Sequence, residues 1–152
     1  MLVIRRDLVD AMMAHARRDH PDEACGVITG PAGEDRPERL TEMANSERSP
    51  TFYRFDSIEQ LRVWREFEAA DEELVVVYHS HTATEPYPSR TDIDWAQGWP
   101  EAHNVLVSTR DPEKDELRSY RIVDGVVTEE QVEQVESYMF AHTGRDDTVD
   151  RP

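Results

Sequence analysis

Leu74-Val75-Val76-Val77-Tyr78-His79-Ser80-His81, running on through Thr82-Ala83-Thr84-Glu85-Pro86-Tyr87-Pro88 to Ser89-Arg90-Thr91-Asp92, is the stretch from which the rest of the chain can be read. Its first five residues form an unbroken apolar, largely β-branched run, the pattern of a strand buried on both faces. His79 and His81 close that strand. In extended backbone, side chains two apart point the same way from Cα atoms roughly 6.5 Å apart, close enough for two imidazoles to converge on one ion. Ser80 points away. Pro86 and Pro88 stiffen the loop that follows and lower the entropy lost when a distant third ligand is brought back.

Asp92 is the candidate for that third ligand. Ser89, with an acid three residues later and Ile93-Asp94-Trp95-Ala96 beyond it, reads as a helix start with Ser89 at the cap and Asp92 in the first turn. Ser-x-x-Asp alone is also a plain capping box. Two imidazoles and one carboxylate leave a tetrahedral Zn²⁺ one open position for water, the arrangement of catalytic rather than structural sites, and the same set accommodates other divalent ions.

Working outward, strands and helices alternate irregularly, which predicts a mixed α/β sandwich. Residues 2–4 begin an edge strand. Residues 7–19 place Leu8, Ala11, Met12 and His15 on one helical stripe, and Pro21 ends it. His15 reads as a packed helix residue. Residues 25–29 form a strand closed by Gly30-Pro31, with Glu23 just ahead of it; an acid in that position is ordinarily a solvated charge. Cys25 reads as a small buried hydrophobe, because nothing near it in sequence supplies a cationic setting that would lower its pKa. Residues 39–44 and 51–55 read as extended. Ser57 with Gln60 reads as a capping box opening a helix whose stripe is Ile58, Leu61, Trp64 and Phe67. Beyond the histidines, Trp95 and Trp99 are placed to wall a cleft. Residues 103–109 form a central strand, and Asp124-Gly125 marks a hairpin between residues 117–123 and Val126-Val127.

Composition narrows the function. At 152 residues the chain suits one domain with one core. Charged residues at 33% and hydrophobic ones at 38% fit a globular protein rather than a disordered one. The formal net charge of −16 opposes binding to nucleic-acid phosphates and to anionic membranes. No run is long enough to cross a bilayer. The opening Met1-Leu2-Val3-Ile4-Arg5-Arg6 lacks the order of a secretory leader, and a lone cysteine fits a reducing compartment, so the expected location is cytoplasmic. Residues 144–152 are polar with few apolar anchors and are expected to fray.

The order His79-x-His81 then Ser89-x-x-Asp92 resembles the motif of the JAMM (MPN+) metalloproteases in composition and spacing. The text His20-Pro21-Asp22-Glu23-Ala24-Cys25-Gly26 is similar to the segment that supplies the general base in bacterial members, which implies Glu23 as base. By the same resemblance His79, His81 and Asp92 bind Zn²⁺ and Ser89 helps stabilise the oxyanion. The implied fold is a single-domain MPN fold, cytidine-deaminase-like, with a curved mixed β-sheet flanked by helices over residues 1–135 and a C-terminal tail from 136 to 152.

Three further segments, Ser46-Glu47-Arg48-Ser49-Pro50-Thr51-Phe52-Tyr53, Tyr78 to Glu85, and Ser119-Tyr120-Arg121-Ile122-Val123-Asp124-Gly125, resemble a narrower group within that family. Its members remove cysteine from the C-terminal Gly-Gly end of a small ubiquitin-like sulfur-carrier protein, which becomes the implied substrate partner. One departure is Thr82, where many JAMM members carry proline.

Two readings of other classes compete. A cupin would use Glu85, which follows His81 after three intervening residues, as a ligand, but its supporting glycines are missing: Glu73 and Asp92 stand where they would be. A non-catalytic MPN scaffold would lack the ligand set that this chain retains.

Overall fold

The apolar run lies inside β4 (Glu72–His81), a middle strand of the larger of two sheets. The structure, a computed structural model, describes residues 1–140. In chain order the other elements are β1 (Leu2–Arg5), α1 (Arg6–Asp19), β2 (Cys25–Pro31), β3 (Arg39–Met43), α2 (Ser57–Ala69), α3 (Arg90–Trp95), β5 (His103–Ser108), β6 (Glu116–Val123), β7 (Val126–Glu130) and β8 (Val132–Val135), with 3₁₀ turns at Ala96–Gly98 and Tyr138–Phe140. Six strands lie in the order β3-β2-β4-β5-β6-β7; the β4–β5 pair is parallel and every other pair antiparallel.

Strand alternation sorts the core into two layers. On one face Val76 and Tyr78 of β4, Ile28 of β2 and Val105 of β5 pack on Leu8, Val9 and Met12 of α1 and on Leu2 and Ile4 of β1. On the other, Cys25, Val27, Val77 and Leu106 pack on Val63 and Phe67 of α2 and on Ala96 and Trp99 beyond α3. His79 is two residues past Val77, so it emerges on the α2/α3 side. Gly26 is glycine for a packing reason: it sits opposite Tyr78, and a Cβ there would lie 2.4 Å from the Tyr78 hydroxyl, which is held by His15 Nδ1 at 2.7 Å.

The sandwich and most elements match the sequence reading; four details differ. Residues 51–55 are not a strand, because their backbone groups go to a loop closed by the single Asn45–Phe55 bridge. The cap of α2 is Asp56, which accepts from Glu59 N at 2.9 Å, one residue before the expected Ser57. Ile58 and Leu61 are exposed, at 81% and 52%. Successive steps of three residues each fall about 60° short of a full turn, so Ile58 and Phe67 end on opposite sides of the helix. The buried stripe is Val63 and Phe67, with Trp64 partly covered. Finally, β8 pairs in parallel with β1, a contact between the two ends of the described chain that local periodicity cannot announce. The Asp124-Gly125 hairpin forms as expected, both residues adopting positive φ.

Residues 136–140 are tied down: Tyr138 Oη donates to the Pro37 carbonyl at 2.5 Å, and Arg6 pairs with Glu136 at 2.8 Å. The expected fraying of residues 144–152 falls outside the described residues. Among those described, no helix is long and apolar enough to cross a membrane.

At the end of the sheet away from His81, buried His103 bridges two acids, Glu130 at 2.6 Å from Nδ1 and Asp35 at 2.8 Å from Nε2. Burial pushes the Glu130 carboxyl up, but hydrogen bonds from His103 and Ser119 outweigh it and hold it at about 2, below its ordinary 4.5. A depressed acid stabilises the fold above its unfolded pKa and loses that contribution as pH falls. Glu130→Gln is therefore expected to lower unfolding stability at pH 6 by about 1–3 kcal/mol. The gap from wild type should close between pH 4.5 and 2 in urea titrations; a gap independent of pH would show that the ion pair is not its source.

Candidate active site

The site forms where β2 begins, β4 ends and α3 starts. In the β2–β4 ladder Cys25 lies opposite His79, and the next rung continues through Ser80 N donating to the Ala24 carbonyl at 3.0 Å. One rung further, Glu23 falls beside His81. By alternation Glu23, His79 and His81 share the α2/α3 side, while Ser80 turns away and its Oγ accepts from Ala24 N at 2.8 Å.

Asp92 reaches the same point from α3. Its Oδ2 lies 3.1 Å from His79 Nε2 and 3.0 Å from His81 Nε2. A reciprocal capping box fixes it: Ser89 N donates to Asp92 Oδ2 at 2.8 Å, and Asp92 N donates to Ser89 Oγ at 3.1 Å. The plain capping box and the ligand reading thus describe one and the same residue. Ligand atoms of His79, His81 and Asp92 all lie within 4.8 Å of one another, and all three residues are buried.

The donor set suits a divalent cation. His81 Nδ1 is 3.0 Å from the Glu85 carbonyl, an acceptor only, so Nδ1 donates there and Nε2 is left turned to Asp92 Oδ2, 3.0 Å away, where an ion would replace the proton between them. His79 Nε2 is buried and, although close to Asp92, is not aligned for a hydrogen bond with it; Glu23 Oε1 is likewise buried without a partner. Buried polar atoms left without a partner, here His79 Nε2 and Glu23 Oε1, carry a penalty that a cation among them removes. Glu85 itself is exposed and contributes only its backbone, so a cupin-type set is not assembled.

The electrostatics of the two acids diverge. Burial pushes the Asp92 carboxyl up, but both imidazoles and the Ser89 N–H outweigh it and hold it well below the usual carboxylate range. Burial raises Glu23 to about 8, with the Asp92 charge adding to the rise and His81 opposing it. Burial lowers His81, yet Asp92 and the Glu85 carbonyl carry it above its ordinary value. Cys25 is buried and free, its thiol pushed up by desolvation, as expected of a packed hydrophobe.

Three contributors were not read from the sequence. Tyr53 stacks on His79 with ring centroids 4.5 Å apart. Asn45 uses its whole amide: Nδ2 donates to the carbonyls of Glu23 and Phe52, and Oδ1 accepts from Glu47 N and Arg54 N. Thr82, the departure noted above, donates through Oγ1 to the Pro50 carbonyl at 3.0 Å and ties the same loop to the histidine strand. The prior signals were that residues 46–53, with Tyr53, and 78–85, with Thr82, carry part of the family resemblance; Asn45 had none. Trp95 and Trp99 do wall a cleft of about 420 Å³ beside the site, together with Tyr53, Arg54 and Phe55.

Comparison with known proteins agrees with this geometry. Residues 5–123 match the family described as prokaryotic homologs of the JAB domain. The chain is 72% identical over 138 residues to the CysO-cysteine peptidase of Mycobacterium tuberculosis, covering 91% of this chain and 94% of that protein. A solution structure of a protein from Desulfitobacterium hafniense superposes with a TM-score of 0.78 at 29% identity, over 90% of this chain and 94% of that one. A JAB1/MPN domain protein from Archaeoglobus fulgidus superposes at 0.60 and 18% identity, over 90% and 100% of the two chains, and so shares the fold. The mixed sheet with helices on both faces, its His-x-His strand end and the match over residues 5–123 converge on one conclusion: the chain belongs to the JAMM/MPN metallopeptidase family, among the prokaryotic homologs of the JAB domain.

Proposed function

We propose that the protein hydrolyses the amide between the C-terminal glycine of a ubiquitin-like sulfur-carrier protein and a following cysteine, releasing free cysteine in the cytoplasm, with Zn²⁺ held by His79, His81 and Asp92. The observation that carries this reading is the convergence of those three buried side chains beside Glu23, whose buried Oε1 has no hydrogen-bond partner among the described residues. The 72% identity to a peptidase named for that substrate supports the carrier and the released amino acid. Residues 1–135 form the catalytic unit in this reading.

A divalent ion in this donor set supplies Lewis acidity, polarising a carbonyl and lowering the pKa of water toward neutrality. Glu23 does the proton work. At about 8 its carboxyl titrates near working pH, and the charge of a cation beside it draws that value down, so Glu23 accepts a proton from water and returns it to the leaving amine nitrogen. Ser89 Oγ uses a lone pair to cap α3, which leaves its O–H free to donate to the carbonyl oxygen as negative charge develops there. Tyr53 covers one face of His79 and fixes its ring plane. Asn45 and the Ser49 carbonyl hold the backbone of Glu23, the latter by accepting from Glu23 N at 2.8 Å.

The test is direct. A carrier ending in Gly-Gly-Cys, incubated with the protein, should lose one cysteine residue by intact mass; a chelator should stop the loss and Zn²⁺ restore it. A carrier left intact by zinc-loaded protein would reject the substrate, and cleavage indifferent to chelation would reject the metal.

A further inference from the structure

If free cysteine is the product, the substrate ends one residue past the scissile bond, and its terminal carboxylate lies within a few ångströms of the reacting carbonyl. A conjugate joined to a lysine side chain has no charge at that place. An enzyme with a net charge of −16 repels such a carboxylate unless a cation stands locally beside the site.

One does. Among the residues lining the cleft next to the metal cluster, Arg54 is the sole cation. Tyr53, its neighbour in sequence, is the shared wall: its ring stacks on His79 and the residue lines the same cleft. The mount is rigid. Arg54 N donates to Asn45 Oδ1 at 3.1 Å, and the Arg54 carbonyl accepts from both the N and Oγ of Ser46. The guanidinium rests over the Trp95 ring, 5.1 Å from its centroid, three residues along α3 from Asp92.

The guanidinium itself is not locked into the fold. Among the described residues its one ion-pair partner, Glu47, is 3.7 Å away, and the Arg54 side chain is 56% exposed, a loose surface pair of small energetic weight; Asp94 lines the same cleft but forms no ion pair with it. A planar fork with donors to spare, held by stacking and open to solvent, is what bidentate capture of a carboxylate requires.

We propose that Arg54 is the anchor for the free α-carboxylate of the residue released, and that it makes the enzyme selective for carriers extended by a single amino acid. This rests on the substrate reading above. The experiment compares a carrier ending in Gly-Gly-Cys with the same carrier bearing a C-terminal carboxamide, using zinc-loaded wild-type protein, Arg54→Gln and Arg54→Lys. The wild type should favour the acid by about tenfold in kcat/KM, chiefly through KM, as expected for a half-exposed charged hydrogen bond. In Arg54→Gln the acid-to-amide ratio should fall to near one, and Arg54→Lys should recover part of it.

A ratio near one in the wild type, or a wild-type ratio preserved in Arg54→Gln, overturns the anchor while leaving the peptidase reading intact. Failure of the wild type to cleave either carrier removes the substrate, and the anchor with it.

Discussion

Glu23→Gln is expected to bind zinc as the wild type does and to lose about 10²–10⁴-fold in kcat, the range for removing a positioned general base. The change is nearly isosteric, and Glu23 contacts its surroundings through its backbone, held by Asn45 and Ser49, so the fold has no reason to shift. The residue is only 3% exposed, with Oε1 buried and without a hydrogen-bond partner, so in the metal-free protein the charged form is penalised. An acid raised from 4.5 to about 8 contributes stability below pH 4.5 that is lost as pH rises through 8. The metal-free Gln variant should therefore match the wild type near pH 4 and melt higher than it above pH 8. Wild-type turnover in the variant would remove Glu23 as the base. Equal melting at pH 8 would show that its carboxyl is not strained by burial.

Asp92→Asn should abolish zinc retention and, with it, turnover. Oδ2 of Asp92 is the atom nearest both imidazoles, and its negative charge is what makes a two-histidine pair hold a divalent ion. The asparagine keeps an oxygen for Ser89 N, and Ser89 Oγ still caps α3, so helix loss is limited to about 1 kcal/mol. Elemental analysis after desalting is the measurement, with Glu85→Ala beside it. Glu85 offers only its carbonyl to His81, and that variant should keep its metal. One zinc per chain in Asp92→Asn would exclude it from the ligand set. Loss only in Glu85→Ala would revive the cupin arrangement.

The candidate site was legible to unequal depths. His79 and His81 follow from strand alternation, and Asp92 from helix capping; these are local rules, and the three side chains meet. Glu23 was not legible from its own surroundings, because an acid before a strand looks the same in sequence whether solvated or buried. The β2–β4 register, pairing residues 54 apart at Cys25 and His79, is what puts it beside His81. The α2 stripe misled because Ile58 and Leu61 have the right composition at a spacing that drifts around the helix, and only packing on the sheet selects Val63 and Phe67.

By itself, the sequence determined most of the strands and helices and the two imidazoles, since periodicity and capping act over a handful of residues, but not β8 or the loop of residues 51–55. Tertiary structure decided which acid stays buried and unpaired, which aromatic ring covers His79, and which arginine faces the cleft. Those properties belong to the loop of residues 45–55, which forms no strand or helix and takes its shape from hydrogen bonds to Glu23 and Thr82. Such contacts join segments distant in the chain, and a pattern read along one segment carries no trace of them.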